Sequence, residues 1–194
     1  MSSSAAGAQG VDERALTPGA AVIVIDVLEG FCKHGNLCSP RYAPLIPRLA
    51  RHLAEAETAG ANVVFLADTH LVDDPEFCMF PPHCVEGSGE EVVVPELAGF
   101  VERGTLVRKR TFSGFRGTGL DDVLRGLAPT RVEVAGVCTD ICVLHTVFDL
   151  RVRGYEVVVR RELVETYDAP EHDAAAFNGF ALRHIRDALG ASVE

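Results

Sequence analysis

Three residues of this chain could together make and break an acyl bond. Cys142 stands in Val137-Cys-Thr-Asp-Ile-Cys-Val-Leu-His-Thr146, where an apolar run gives way to helical spacing. A thiol at such a junction meets backbone N–H groups and the positive end of a helix dipole, and both favour the nucleophilic thiolate. Lys109, in Val107-Arg-Lys109-Arg-Thr-Phe-Ser-Gly-Phe115, offers an ammonium that would depress the thiol pKa further. Asp26, closing Val24-Ile-Asp26, offers a carboxylate that could orient the lysine and shuttle protons. Singly, each has a bland reading: a small buried cysteine, a solvated lysine, a loop-capping aspartate. Only a fold that brings them to one place makes them a catalytic set. No serine lies in a G-x-S-x-G elbow, and no Gly-rich phosphate loop follows the first apolar run. His145, three residues after Cys142, reads as a helix-contact histidine, because Asp26 fills the role of base.

A second constellation has the chemistry of a metal site. Asp68-x-His70 is followed by Phe80-Pro-Pro-His83, with Glu76 seven residues before His83. Carboxylate and imidazole ligands suit a divalent zinc, manganese or iron ion. A solvated acidic loop would show the same spacing. The cysteines do not suggest a zinc site. Cys32/Cys38 and Cys78/Cys84 are each separated by five residues, wider than the usual C-x-x-C-like pattern, and read as small loop-packing side chains. A reducing compartment would keep all six cysteines as thiols.

The elements that must position these groups follow from hydrophobic patterning. Ala21–Ile25, Asn62–Ala67, Thr105–Arg108, Arg131–Val137 and Tyr155–Val159 are short apolar runs with the character of buried strands, and Ala191–Val193 is a candidate sixth. Helical spacing covers Ala43–Ala59, Leu120–Leu127, Asp140–Arg153 and Pro170–Leu189, the last with proline in its first turn. Strands alternating with helices predict an α/β protein: three layers, with a parallel sheet of about six strands and helices on both faces. In such sheets ligands bind beyond the carboxyl ends of the strands. Asp26, Asp68, His70, Lys109 and the Cys138–Cys142 segment all fall there, and that coincidence favours function over the bland readings. The stretch from His70 to Pro95 has little periodicity, and a loop that long is usually functional.

Bulk composition narrows the classes. The 194 residues are 47% hydrophobic and 24% charged, which suits one globular domain. A net charge of -10 argues against nucleic acid or an anionic membrane as partner. No apolar run reaches the length of a membrane span. Residues 1–18, rich in Ser, Ala and Gly, lack a signal peptide's basic start and read as a flexible tail before a domain over 19–194. The expected location is cytoplasmic.

The segments around Asp26 and Lys109, Thr139-Asp-Ile-Cys142-Val-Leu-His-Thr146 and the Phe-Pro-Pro-His83 segment resemble the isochorismatase-like cysteine hydrolases, and within them the nicotinamidases. The resemblance runs from about Ala21 to Leu189. Where many members carry a glutamine two residues after the aspartate, this chain has Leu28, and Gly30-Phe31 replaces their Asp-Phe. The resemblance implies that Asp26, Lys109 and Cys142 are catalytic, and that the backbone N–H groups of Cys138 and Cys142 form an oxyanion hole behind a cis peptide bond. It implies one divalent ion, zinc first with manganese or iron as alternatives, on Asp68, His70 and His83. Glu76 would be a fourth ligand, a place for which Asp73 and Asp74 compete. It implies that Phe31, Phe80 and Phe112 sandwich a pyridine ring, although core packing is an equal alternative for phenylalanines. The expected substrate is a small amide, nicotinamide first, and the expected assembly a homo-oligomer. Rival readings are another amidase or carbamoyl hydrolase of this superfamily, a non-catalytic scaffold, and isochorismatase itself, which would not keep a nucleophilic cysteine at 142.

Overall fold

The computed structural model describes residues 16–194. Six parallel strands form one sheet: β1 (Ala21–Ile25), β2 (Asn62–Asp68), β3 (Thr105–Lys109), β4 (Val132–Val137), β5 (Val157–Glu165) and β6 (Ser192–Val193). Their order is β3-β2-β1-β4-β5-β6. The chain therefore winds outward from β1 in one direction, returns to lie beside β1 as β4, and winds outward in the other. The point where the order reverses, between β1 and β4, is where an open α/β sheet leaves a crevice.

Helices cover both faces, in three layers. The face of the sheet bearing Val22, Val24, Phe65 and Ala135 packs against helices α1 (Glu29–Cys32), α2 (Leu45–Thr58) and α3 (Ala98–Arg103). The face bearing Ile23, Ile25, Leu66 and Val134 packs against α4 (Leu120–Leu127), α5 (Leu144–Val152) and α6 (Ala174–Asp187). Alternate residues of β1 feed opposite cores, which is why its sequence is continuously apolar.

Several expected elements need correction. The last helix begins at Ala174 and not at Pro170. Pro170–Asp173 is taken up by a turn in which Ala169 and His172 exchange backbone hydrogen bonds, and the Asp173 side chain caps the helix by accepting from the N–H of Ala176 at 2.7 Å. The helix expected from Asp140 opens instead with a wide π-type turn over Thr139–Val143, with α5 beginning at Leu144. Strand β5 runs on to Glu165, past the charged Arg160-Arg-Glu162, because the carboxylate of Glu133 on β4 receives Arg160. Helices α1 and α3 carry no periodicity long enough to read. Of the expected tail, residues 1–15 lie outside the described residues, and Leu16 packs against the core. Among the described residues no helix is long and apolar enough to cross a membrane.

Candidate active site

The crevice at the β1/β4 reversal is built from strand ends. Asp26, the residue after β1, has φ 54°, a left-handed conformation in which non-glycine residues are uncommon and aspartate is enriched. Its N–H donates to Leu66 O at 3.0 Å, and its Oδ1 accepts from the N–H of Asp68 at 3.0 Å, so the carboxylate is drawn toward the end of β2. Lys109, the last residue of β3, reaches back under β2. Its Nζ lies 2.7 Å from Asp26 Oδ2, 2.6 Å from Asp68 Oδ1 and 3.6 Å from Cys142 Sγ. The structure thus brings Asp26, Lys109 and Cys142 together, all buried, although they come from the ends of three different strands.

Gly136, near the end of β4, has φ 116°, and a Cβ there would fall 2.0 Å from Ile25 O. Only glycine lets β4 lie this close to β1. The Val137–Cys138 peptide bond is cis. The Cys138 carbonyl then accepts from the N–H groups of Ile141 and Val143, both at 3.1 Å, closing the turn that carries Cys142.

Burial sets the electrostatics. It raises Asp26 to about 7, helped by the neighbouring Asp68 charge and opposed by Lys109. Burial alone would raise Asp68 as well, but the Lys109 ammonium and His70 hold it below its ordinary range. Burial works against the charge of Lys109, yet Asp26 and Asp68 keep its pKa well above the ordinary range. For Cys142 the expected sign is corrected. Burial, with the charges of Asp26 and Asp68, pushes the thiol well above its ordinary value, and Lys109 offsets this only in part.

Beside the triad, one ligand atom each from Asp68, His70 and His83 lie within 4.8 Å of one another. Their surroundings fit a cation. His70 is fully buried and neither ring nitrogen is hydrogen-bonded; Nδ1 lies 3.2 Å from Asp74 Oδ2 and Nε2 3.7 Å from Asp68 Oδ1. His83 Nδ1 lies 2.9 Å from Pro81 O, so that nitrogen carries the proton and Nε2 keeps its lone pair. Glu76 stands outside this compact group, its Oε1 3.9 Å from His83 Nε2, its carboxyl raised to about 7 by burial and by Asp68. Asp74 comes closer to a histidine than Glu76 does.

The cleft has a volume of about 370 Å³. Phe31, Phe80 and Phe112 all line it, along with Asp26, Cys138 and Cys142. Phe31 and Phe80 flank His83 at ring separations of 5.6 Å and 6.4 Å, and Phe80 meets Phe112 edge-on at 6.0 Å. His145 is exposed and turned back on its own helix, with Nδ1 2.7 Å from Ile141 O. Cys32 and Cys84 are buried in packing, whereas Cys38 and Cys78 are exposed.

Two groups of supporting residues escape sequence reading. Tyr42 is buried with its hydroxyl 3.1 Å from Cys138 Sγ. The Asp140 carboxylate accepts from Thr166 Oγ1 at 2.6 Å and faces His172 Nε2 at 2.8 Å, tying the cysteine turn to the wall after β5. Aspartate within a T-D-x-C run was visible as a polar residue at a helix start. Nothing in the chain pointed to its partner 32 residues on.

The isochorismatase domain family matches residues 20–190, nearly the whole described chain. The chain belongs to the isochorismatase family. It is therefore a hydrolase of the three-layer α/β type that this family shares. Streptothricin hydrolase of Streptomyces noursei is 34% identical over 177 residues, covering 90% of this chain and 60% of that one. The pyrazinamidase/nicotinamidase of Streptococcus mutans superposes with a TM-score of 0.81 at 31% identity, covering 90% of this chain and 99% of its own. A pyrazinamidase of Pyrococcus horikoshii in complex with zinc gives a TM-score of 0.77 at 28% identity, covering 91% and 99%. This family member thus has structural neighbours that act on amides, one of them with a zinc ion.

Proposed function

We propose that this chain is a cysteine-dependent amide hydrolase whose substrate is nicotinamide. The observation that carries the reading is the buried Lys109 ammonium in contact with Asp26, Asp68 and Cys142, directly beside the Asp68/His70/His83 group. The likeness to enzymes called nicotinamidase and pyrazinamidase supports the ring chemistry.

In this reading Cys142 Sγ attacks the carboxamide carbon while Asp26 takes the thiol proton. A carboxyl at about 7 is matched to that task at neutral pH, and a thiol raised by burial makes attack and proton transfer concerted. The N–H groups of Cys138 and Cys142 hold the oxyanion, an effect worth roughly 3–4 kcal/mol per donor in comparable sites. The C–N bond then breaks, and Asp26 returns the proton to the departing ammonia. Water, activated by Asp26, hydrolyses the thioester to the carboxylate and frees the thiol. Throughout, Lys109 keeps Asp26 in place. Asp68, His70 and His83 would hold a divalent ion, zinc in the first instance, which when bound would supply a Lewis acid for a ring nitrogen. Phe31, Phe80 and Phe112 enclose the ring.

A different amide is the second reading, favoured by the likeness to N-carbamoylsarcosine amidase. A cleft of about 370 Å³, near the small end for ligand pockets, argues for a single-ring substrate. Ammonia release from nicotinamide and benzamide, with metal content determined on the same sample, separates the two. The expected outcome is a kcat/KM for nicotinamide larger by orders of magnitude, lost in His70→Ala. Equal turnover of both amides, or full activity in a verified metal-free sample, overturns ring anchoring and leaves the general amidase.

A further inference from the structure

Next to the catalytic cleft lies a second, larger hollow of about 820 Å³. It shares the side chains of Glu76 and Phe112 with the cleft, so these two form a partition between the spaces. Its outer wall is cationic: Arg108, Arg110 and Arg116 all line it, and among the described residues none of the three makes an ion pair. Among the described residues Arg41, Arg103, Arg125, Arg153 and Arg186 do. Three guanidinium groups thus line one concave surface of a chain of net charge -10, with Arg110 also acting on the neighbouring Asp74 carboxylate.

The arrangement follows from β3 being an edge strand. Lys109, the last residue of β3, is buried, whereas Arg108 before it on the strand and Arg110 just beyond the strand end are both exposed. Arg116, from the loop before α4, joins them. Asp74 and Glu76 also line the hollow but are engaged toward His70 and His83. Glu86, exposed at the hollow, is the remaining counter-charge. Pro75, Met79 and Phe112 supply apolar surface. A flat apolar body with one anionic end matches this lining, because guanidinium groups bind carboxylates through paired N–H donors.

Amide hydrolysis produces such a molecule. It turns a neutral amide into a carboxylate inside a cleft that already holds Asp26 and Asp68. There Asp26 and Asp68 are already paired with Lys109, while Arg108, Arg110 and Arg116 line the space on the other side of Phe112. We propose that the Arg108/Arg110/Arg116 hollow is a separate binding site for aromatic carboxylates, which receives the product as it leaves. The product role rests on the amidase reading; the binding site itself does not.

The test uses the full chain carrying Cys142→Ala, so that amides bind without turnover, and two titrations by calorimetry or NMR, nicotinate against nicotinamide and benzoate against benzamide. Inorganic phosphate is a third probe. The variants are Arg108→Gln/Arg110→Gln, Arg116→Gln, Glu86→Gln and, as a control on α2, Arg48→Gln. Both carboxylates should bind at least ten-fold more tightly than their amides. The double variant should lose that margin and Arg116→Gln part of it. Glu86→Gln should increase it, and Arg48→Gln should leave it unchanged. In turnover assays with Cys142 present, the double variant should keep its kcat/KM for nicotinamide. Equal carboxylate affinity with and without the double substitution overturns the site, and phosphate binding more tightly than either carboxylate overturns the ligand class. If the arginine-dependent margin holds but no amide is turned over, the site stands and the amidase reading falls.

Discussion

At the residue scale the chemistry turns on how burial redistributes one proton. Sequence reading singled out Asp26, Lys109 and Cys142 because each follows a recognisable strand, but it did not weigh burial against the lysine at the cysteine. A lysine nearby suggested a thiolate. Complete burial and two carboxylates outweigh that single cation, and burial is a property of the packed molecule. The consequence is measurable. Iodoacetamide at neutral pH should label the exposed Cys78 and Cys38 well before Cys142, and peptide mapping with Cys142 modified first would refute a thiol raised by burial. A second expectation concerns the base. Asp26→Asn keeps the acceptor that receives the Asp68 N–H but cannot hold the proton. Its kcat should fall by about 10²–10⁴ with KM little changed. Turnover within a factor of a few of wild type would remove Asp26 from the role of base.

At the element scale, the strands were legible and the turns between them were not. Continuous β-branched runs marked β1, β2 and β4, because strands buried on both faces admit little else. The start of α6 was misread because Pro170 mimics a first-turn proline, while the true cap, Asp173, sits three residues later. The π-type turn carrying Cys142 has no periodic signature at all. Its placement depends on Gly136, whose importance appears only when β1 is seen against it. Gly136→Ala would drive a Cβ into Ile25 O and separate β4 from β1 where Asp26 and Cys138 meet. The expected outcome is a loss of at least roughly 3 kcal/mol, or failure to accumulate as soluble protein. Denaturant unfolding of the purified variant measures it; a midpoint within experimental error of wild type would mean that β4 can shift without cost.

At the scale of the whole molecule, the layers are held in register by charge as well as by apolar packing. Glu133 lies on the central strand β4 and is buried. Its carboxylate receives His52 from α2 at 2.9 Å, Arg131 at 2.7 Å and Arg160 from β5 at 3.0 Å. Hydrophobic patterning could not reveal this, since a glutamate inside an apolar strand reads as an outward-facing residue. Burial would raise this carboxyl, but His52 and Arg160 prevail and hold it at about 2 against an ordinary 4.5. Because the folded value lies below the unfolded one, the ionised form stabilises the fold. That contribution is complete above about pH 4.5 and is lost as pH falls through 2. The difference amounts to roughly 3 kcal/mol at neutral pH. Glu133→Gln preserves shape while removing the buried charge that faces His52, Arg131 and Arg160, so it should cost about that much at pH 7. At pH 3 the wild-type carboxylate has already given up part of its advantage, and the gap between the two proteins should shrink by about half. Urea unfolding of both proteins at pH 7, 4.5 and 3 is the measurement. A gap that stays constant across that range would mean that the charge of Glu133 contributes nothing to joining α2 and β5 to the centre of the sheet.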